Sequence, residues 1–345
     1  MQEDLRINGI TVKPRHQITV NIPVARLHTH TEMTMPVHVI HGREEGPRLF
    51  VSAALHGDEI LGVEIIRRLI KKKRLRSLKG TLLAVPVVNV FGFINHSRYL
   101  PDRRDLNRFF PGSEKGSLAS RLANIFMLEI VEKCTHGIDL HTGSNHRINL
   151  PHVRARLDDP ETEKLANAFG APVIIDANVR DGSLRQAVME KGMPVLLYEA
   201  GEALRFDEVS VRTGIRGIIT VMRHIGMLPN TTPHKKRIQP FIARSTTWVR
   251  APGSGILRTH TKLGKPISQG DTLGIIADPF GGNEEVVIAP VSGIVIGRLN
   301  MPLVHEGDAI FHIACLDDNT SVESTLQEFQ EELGPFDPDT LPGTA

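Results

Sequence analysis

Residues 51–59 read Val-Ser-Ala-Ala-Leu-His-Gly-Asp-Glu, and this stretch decides the fold. It predicts a buried strand that breaks at a glycine and continues into a helix. His56 and Glu59 lie three residues apart across that break, a spacing that places two side chains on one face. Because open α/β sheets bind ligands at the carboxyl ends of their strands, the imidazole and the carboxylate are expected to meet at such a site.

A histidine and a glutamate are two of the three protein ligands in a His₂Glu zinc site of the catalytic kind. The same residues also have a purely structural interpretation. In it, Asp58 caps the following helix and His56 is hydrogen-bonded within the turn. The pair is common by chance, so the rest of the chain must decide between the two interpretations.

Composition limits the class of protein. The chain has 345 residues, of which 40% are hydrophobic and 23% charged, enough for one large and one small domain. The net charge of +2 gives no reason to expect a nucleic acid or a membrane surface as partner.

Cys134 and Cys315 fit neither a disulfide framework nor a CxxC metal site. The N-terminus lacks an apolar signal segment and no apolar run reaches membrane-spanning length, so we expect a cytoplasmic protein.

Up to about residue 228, predicted strands alternate with predicted helices. This alternation favours an α/β fold with a mixed, mainly parallel sheet covered by helices and preceded by a β extension over residues 1–34. Strands are predicted at residues 35–40, 48–55, 80–88, 137–141, 172–176 and 194–199. Helices are predicted at residues 58–75, 117–133, 160–169, 183–191 and 207–227.

The segment 229–320 differs in composition, because glycines and β-branched residues dominate and helical periodicity is absent from this part of the sequence. It also contains a repeat. Residues 251–257 (APGSGIL) recur as residues 289–295 (APVSGIV). Downstream of each copy, Gln269-Gly-Asp271 recurs as Glu306-Gly-Asp308. Two β half-motifs of this kind resemble the barrel-sandwich hybrid of lipoyl and biotinyl domains, so we expect an all-β C-terminal domain.

Carrier domains of that kind hold a modified lysine on the hairpin between the two halves. Here the hairpin spans residues 278–287 and contains no lysine. We therefore expect a domain that shapes the cleft or makes an oligomer contact. Residues 321–345 are acidic and proline-rich and are predicted to form a loosely held tail.

A third metal ligand is expected at the end of another strand. His141 fits, because residues 137–141 form a predicted strand that stops at this histidine and is followed by Thr-Gly. Asp139, two residues earlier, shares its face and could support it through a hydrogen bond. A histidine bonded to the backbone is the alternative, but HGDE upstream favours a metal site.

Other polar residues could complete a catalytic site. Glu199 closes the apolar strand PVLLYE and is either a surface glutamate at a turn or a general base on a metal-bound water. Residues 98–108 combine four arginines with two aspartates and an asparagine. Guanidinium groups suit a substrate carboxylate or a developing oxyanion. Some of the residues that follow His141 could line the pocket, namely Asn145, His146, Arg154 and Arg156.

Four motifs in this order resemble the succinylglutamate desuccinylase/aspartoacylase family, a branch of the zinc carboxypeptidase-like hydrolases. They are HGDE, SRYLPDRRDLNRFFPG, DLHTGS and YEAGE. The resemblance covers residues 35–228, and the C-terminal β domain also resembles the corresponding part of that family. It implies that residues 1–228 form a zinc carboxypeptidase-like catalytic domain.

The resemblance also implies a role for seven residues: zinc ligands His56, Glu59 and His141; the base Glu199, which later protonates the leaving amine; Arg98, which polarises the scissile carbonyl; and Asn107 with Arg108, which grip the substrate carboxylate. Which arginine of residues 98–108 faces the oxyanion stays open. With Tyr99 and Tyr198 as the only tyrosines, the late tyrosines that close the pocket in relatives have no match, so the resemblance does not identify the substrate.

We therefore expect a zinc-dependent amidohydrolase that deacylates an N-acyl amino acid or a similar small carboxylate. Two other functions stay open: a metallocarboxypeptidase acting on peptides or glutamate tails, and a non-catalytic binding protein. The acyl group does not follow from the sequence. The oligomeric state also stays open, and a homo-oligomer is among the assemblies considered.

Overall fold

The structure, a computed structural model, describes residues 2–230 and 239–316 of the chain. The predicted acidic tail, residues 321–345, lies outside the described residues. None of the helices described is long and apolar enough to cross a membrane.

Ten strands and six helices precede residue 230. The strands are β1 (Leu5–Ile7), β2 (Ile10–Val12), β3 (Gln17–Arg26), β4 (Glu32–His41), β5 (Arg48–Ala53), β6 (Thr81–Val85), β7 (His136–Gly143), β8 (Arg147–Ala155), β9 (Val173–Asp176) and β10 (Val195–Glu202). The helices are α1 (Leu61–Ile70), α2 (Val90–Ile94), α3 (Leu118–Glu129), α4 (Pro160–Phe169), α5 (Leu184–Glu190) and α6 (Glu208–His224). Short 3₁₀ helices span Lys73–Ser77, Leu106–Arg108 and Val131–Lys133.

Nine further strands follow. They are β11 (Phe241–Ala243), β12 (Thr246–Arg250), β13 (Gly255–Thr259), β14 (Pro266–Ile267), β15 (Thr272–Ala277), β16 (Glu284–Ile288), β17 (Gly293–Leu299), β18 (Leu303–Val304) and β19 (Ala309–Cys315).

A large mixed sheet runs through the molecule in the order β12-β19-β17-β8-β10-β7-β5-β6-β4-β3. The mixed α/β fold is as predicted, but parallel pairing is confined to β10-β7-β5-β6 and to a side branch, β8-β9-β11. The flanking pairs are antiparallel. Among the strands of this sheet before residue 230, four pairs are parallel and three are antiparallel. The prediction missed β8, which follows β7 after a connection too short for a crossover helix and so runs in the opposite direction.

Helices cover both faces of the parallel centre. On one face, α1, α4 and α6 bury an apolar cluster that includes the α1 stripe Leu61, Ile65 and Leu69. On the other, α3 and α5 pack with the N-terminal strands. Helix α1 begins at Leu61 rather than at residue 58. Ile60 occupies its N-cap position without a side-chain hydrogen bond, so Asp58 is not the cap.

The turn after β5 has no room for a side chain at Gly57. A Cβ there would lie 1.9 Å from the carbonyl carbon of Gly92 and 2.1 Å from the nitrogen of Phe93, both in α2. The glycine of HGDE is therefore required because the backbone of α2 crosses the turn. This close approach fixes the path of the chain between His56 and Glu59.

The repeat found in the sequence is also a structural repeat. Four strands pair in the order β16-β15-β13-β18, and β12-β19-β17-β14 repeat the same order. In each half, the alanine that opens the repeat exchanges backbone hydrogen bonds with the Gly-Asp turn of the other repeat segment. Ala251 pairs with Gly307 and Asp308, and Ala289 pairs with Gly270 and Asp271, at 2.8–2.9 Å.

The C-terminal strands are continuous with the large sheet. Strand β17 is longer than its counterpart β13, and its end pairs with β8, with Gly297 opposite Asn149. Strand β8 therefore has β10 on one edge, while β17 and β9 share the other edge. This pairing brings the C-terminal strands beside the strands that precede residue 230.

We predict that Gly57→Ala destabilises the fold by more than about 2 kcal/mol, because the added methyl group overlaps backbone that cannot rotate away. Gly192→Ala is the matched control. It also adds one methyl group, but nothing lies within 4 Å, and only the left-handed backbone, with φ of 72°, opposes the change. That cost is about 1 kcal/mol. Denaturant unfolding of both variants measures the difference, and equal losses of unfolding free energy would contradict the steric argument.

Candidate metal centre and active-site pocket

The predicted site residues converge at the carboxyl ends of β5, β7 and β10. His56 and Glu59 lie in the turn after β5, and His141 lies near the end of β7. Glu199, on β10, is the register partner of His141. Adjacent strands are about 4.8 Å apart and register partners share a face, so these two side chains leave the sheet side by side.

His56, Glu59 and His141 form a compact buried cluster. Their potential ligand atoms all lie within 4.8 Å of one another. The Glu59 carboxylate lies between the two imidazoles, with Oε1 2.7 Å from His56 Nδ1 and Oε2 2.8 Å from His141 Nδ1. The Thr142 backbone N–H also donates to Glu59 Oε2, at 3.1 Å.

The opposite ring nitrogens bind two other carboxylates. His56 Nε2 lies 3.0 Å from Asp105 Oδ1, and His141 Nε2 lies 2.7 Å from Asp139 Oδ2. Ser52 Oγ donates to the other oxygen of Asp139 at 2.7 Å. Metal-ligating histidines commonly donate their second N–H to a carboxylate, which fixes the tautomer and leaves the other nitrogen for the metal.

The donor set fits a metal ion. Both Nδ1 atoms lie next to the Glu59 carboxylate, and two histidines with one glutamate are a ligand set of catalytic zinc sites. Nitrogen and oxygen donors of this kind also suit other divalent transition metals, so the donor set does not single out zinc.

The carboxylates and imidazoles of the cluster shift one another's pKa values. Burial alone would raise the pKa of Glu59, but His56 and His141 outweigh it and hold that pKa well below its ordinary value. Burial alone would lower the pKa of both imidazoles. The carboxylates Glu59 and Asp105 outweigh it at His56, and Asp139 and Glu59 do so at His141, so both pKa values are raised. An ionised carboxylate between two imidazoles is the arrangement that a cation would stabilise in place of the ring protons.

Arg98, for which the resemblance implies a role at the scissile carbonyl, lies beside this cluster. Its guanidinium donates to Glu59 Oε1 at 3.1 Å and to Asp105 Oδ2 at 3.0 Å. Asp105 therefore binds both His56 and Arg98. It also caps the 3₁₀ helix Leu106–Arg108 by accepting the Asn107 N–H at 2.9 Å. Sequence reasoning noticed Asp105 but gave it no role.

Asn107 and Arg108, the predicted carboxylate pair, both line the pocket. Asn107 Oδ1 accepts the N–H of Leu184 at 2.9 Å, which ties this loop to the start of α5. Arg108 is exposed, and its Nη1 donates to the Asn107 carbonyl oxygen at 2.6 Å.

Glu199 lines the same pocket, and one of its oxygens is held by two residues of β8. Arg154 Nε donates to Oε2 at 2.6 Å, and His152 Nε2 lies 3.1 Å from the same atom. Burial alone would raise the pKa of Glu199. The Arg154 guanidinium and His152 outweigh it, and the pKa lies well below its ordinary value. The carboxylate is therefore ionised, and Oε1 accepts no hydrogen bond from residues 2–230 or 239–316.

The pocket has a volume of about 460 Å³ and is rich in arginine. Six guanidinium groups line it, against the three carboxylates of Glu59, Asp139 and Glu199. The arginines are Arg98, Arg108, Arg147, Arg154, Arg180 and Arg185. Of the four residues after His141 considered from the sequence, Arg154 lines the pocket, whereas Asn145, His146 and Arg156 are not among its lining residues.

Sequence reasoning missed several pocket residues. Arg147 lies on β8, where the sequence analysis predicts no strand although the alternation in RINLPHVRA indicates one. Arg180 and Arg185 follow β9, and Trp248 and His312 come from the C-terminal strands. The sequence holds no local signal for these last two, since only β17–β8 pairing brings their strands here.

Arg185 has an unused donor. Its side chain is buried, and Nη2 donates to the Asn178 carbonyl oxygen at 2.6 Å. Nη1 is also buried, yet it has no hydrogen-bond partner within the described part of the chain. Burial, with Arg154 nearby, lowers the pKa of Arg185 to about 10, so it stays charged at neutral pH. A buried cation with an unpaired donor indicates a site for an anion.

A family model places these residues among known proteins. The Succinylglutamate desuccinylase/Aspartoacylase catalytic domain matches residues 45–225, a span that contains every predicted site residue. The chain is 28% identical to the N-alpha-acetyl-L-2,4-diaminobutyric acid deacetylase of Halomonas elongata over 296 residues, 81% of this chain and 85% of that protein. It is 32% identical to a succinylglutamate desuccinylase of Pseudomonas aeruginosa over 143 residues, 38% of this chain and 41% of that protein.

Solved structures share the fold over most of the chain. The product-bound ectoine utilization protein EutE (DoeB) of Ruegeria pomeroyi aligns with a TM-score of 0.78 and 24% identity, covering 87% of this chain and 95% of that one. A succinylglutamate desuccinylase/aspartoacylase of Rhodobacter sphaeroides aligns with a TM-score of 0.75 and 25% identity, covering 86% and 94%.

We predict that Asp105→Asn and Asp139→Asn each weaken metal binding by about 10- to 100-fold, because the amide no longer offers the charged acceptor that orients the ligating imidazole. Competition with a chromophoric chelator measures the affinity, and elemental analysis measures the metal content. His56→Ala and His141→Ala, which each remove a ligand, should lose the metal altogether.

Asp102→Asn is the matched control for this prediction. Asp102 lies in the same loop as Asp105 but binds only Arg104 among the described residues. The metal affinity of the Asp102→Asn variant should therefore equal that of the unmodified protein. If Asp105→Asn and Asp139→Asn also bind metal normally, the carboxylates do not orient the ligands.

Proposed function

The chain belongs to the succinylglutamate desuccinylase/aspartoacylase family, and we propose that it removes the acyl group from an N-acyl amino acid by zinc-assisted hydrolysis of the amide bond. One observation carries the proposal: a buried His-Glu-His cluster and an ionised Glu199 lie in the same pocket. The names of two relatives, a deacetylase and a desuccinylase, support deacylation as the reaction class.

His56, Glu59 and His141 would hold the metal. A bound zinc ion supplies two kinds of chemistry, a lowered pKa of water and polarisation of a carbonyl group. The remaining work falls to side chains of this pocket. Glu199 would accept a proton from the attacking water at Oε1 and later deliver it to the leaving amine. Arg154 and His152 hold the other oxygen, so they fix the orientation of the carboxylate.

Arg98 would stabilise the negative charge that develops on the scissile carbonyl. Its guanidinium is held beside the cluster by Glu59 and Asp105, so no reorganisation is needed as charge builds up. A fixed positive charge in a pocket partly shielded from water acts more strongly than one in bulk solvent.

The substrate carboxylate would be anchored by Asn107, Arg108 and Arg185. Arg108 is exposed and lines the pocket, and Arg185 contributes a buried donor without a partner. Guanidinium groups match a carboxylate with two parallel donors. The excess of guanidinium groups over carboxylates in the pocket supports an anionic substrate.

A panel of N-acyl amino acids incubated with the zinc-loaded protein tests the proposal directly. We expect release of the free amino acid, detected by its new primary amine. C-terminal peptides of similar size should be poor substrates. Efficient peptide trimming without release of acyl groups would replace deacylation with carboxypeptidase activity.

We predict that Glu199→Gln retains its metal and its fold but loses about 10²- to 10⁴-fold in kcat, because an amide cannot accept the proton from water. Elemental analysis and circular dichroism check the metal and the fold. Glu202→Gln, on the same strand but outside the pocket, should keep normal turnover. Near-normal kcat in Glu199→Gln with metal bound would mean that another group is the base.

We predict that Arg108→Lys and Arg185→Lys each lose about 10- to 1000-fold in kcat/KM on N-acyl amino acids, since charged hydrogen bonds contribute about 1.5–3 kcal/mol each. Lysine retains the charge but not the parallel donors. The matching N-acyl amine, which lacks the carboxylate, should show a much smaller loss. Equal losses on both substrates would show that these arginines do not read the carboxylate.

A further inference from the structure

Two aromatic rings from the C-terminal strands form part of the pocket wall. Trp248 on β12 and His312 on β19 are register partners. Their rings stack with centroids 4.1 Å apart and planes 2° from parallel, and both residues line the pocket. The Arg147 guanidinium lies 5.5 Å from the centre of the Trp248 ring and is anchored by the Ala309 carbonyl oxygen. The C-terminal strands therefore supply side chains to the catalytic pocket.

His312 has an unsatisfied buried nitrogen. The residue is 2% exposed, and its Nε2 has no hydrogen-bond partner among residues 2–230 and 239–316. Buried polar atoms in proteins almost always have a partner, because leaving one unpaired is costly. An unpaired nitrogen on a residue that lines a pocket indicates that a ligand supplies the partner.

The surroundings of His312 determine the protonation state of its ring. Burial, with Arg154 and His152 nearby, lowers its pKa to about 3, so the ring is neutral at physiological pH. Arg147 and Arg180 line the same pocket, and its three carboxylates are the ones already described. Glu199 is bound by Arg154, and Asp139 and Glu59 are bound within the metal cluster. This wall therefore offers the guanidinium donors of Arg147 and Arg180, together with an imidazole nitrogen that donates in one of the two neutral tautomers.

Comparison of the two halves of the structural repeat shows whether the fold itself requires His312 and Trp248. In the other half, the register-paired positions that correspond to His312 and Trp248 are Ile275 and Val286. Val286 is 52% exposed, so that face is open to solvent. The same strand pairing forms with two aliphatic residues there, so the fold does not itself demand an imidazole and an indole. The chemistry differs where the half-sheet faces the pocket.

We propose that His312, Trp248 and Arg147 form a specificity subsite for a second hydrogen-bond-accepting group of the substrate, a carboxylate or a carbonyl, beyond the anchored carboxylate. His312 donates a hydrogen bond to this group from its ring. The subsite rests on the proposed deacylation for the identity of the substrate. The accepting group belongs either to the acyl tail or to the amino-acid side chain, and matched substrates distinguish these two sources.

Two substrate pairs test the subsite in the zinc-loaded protein. N-succinylalanine and N-butanoylalanine differ at the acyl tail, and N-acetylglutamate and N-acetylnorvaline differ at the side chain. We expect one pair to show a preference in kcat/KM for the member with the carboxylate. In His312→Phe, which retains a ring for stacking, that preference should fall by about 10- to 100-fold, the loss expected for one charged hydrogen bond. The methyl-terminated member should change little.

Three further variants complete the design. His312→Gln, whose amide can donate a hydrogen bond, should recover part of the preference. His312→Ile places the residue of the equivalent repeat position here and replaces the phenylalanine variant if that one does not fold. His260→Phe is the control, because His260 is exposed and is not among the lining residues. It should behave like the unmodified protein.

Binding can be measured without turnover, because Trp248 is the only tryptophan of the chain. In the Glu199→Gln variant, titration with the preferred substrate should change the fluorescence of Trp248 until it saturates. Adding His312→Ile should raise Kd by about 10- to 100-fold, on the same argument of one lost charged hydrogen bond.

The outcomes separate the two proposals. Equal losses on both members of each pair in His312→Phe or His312→Ile, or an unchanged preference, would overturn the subsite while leaving deacylation intact. If no N-acyl amino acid is hydrolysed, the proposed function fails. Selective binding seen by fluorescence and lost in His312→Ile would then still support the subsite.

Discussion

The arrangement of the pocket depends on the burial of one charge, the carboxylate of Glu59. A buried carboxylate is stable only if each oxygen is paired, and here the two imidazoles, Arg98 and the Thr142 N–H supply the partners. These partners come from the turn after β5, the loop around residue 98 and the end of β7. The same requirement that stabilises the fold therefore assembles the candidate metal ligands, because both imidazoles are among the groups that pair the buried charge.

Much of this centre could be predicted from local sequence. HGDE follows a buried strand, and His141 lies near the end of another, so both groups fall at the carboxyl edge where parallel strands meet. Glu199 joins them because it is the register partner of His141. The close approach of Gly57 to α2 could not be predicted, since nothing near residue 57 shows which backbone will cross it.

The far wall of the pocket could not be predicted for a different reason. Its chemistry comes from residues that are distant in sequence, and strand pairing brings them together. Arg154 lies on β8, a strand that was not predicted because only a short connection separates it from β7. His312 reaches the pocket because its register partner Gly297 lies opposite Asn149 of β8. A periodic pattern shows that a strand exists, but it does not show which strand lies beside it.

The ends of the large sheet bear on how copies of the chain could meet. An open sheet exposes unpaired backbone groups at its edges, and these can recruit a strand from another molecule. The path through this sheet ends at β3 and β12. Strand β3 carries Pro23, which has no N–H to donate, and its register shifts between Pro23 and Ala25. Strand β12 is five residues long. The β3 edge is therefore a poor template for continuous strand addition, and fibrous aggregation through that edge of the sheet is disfavoured.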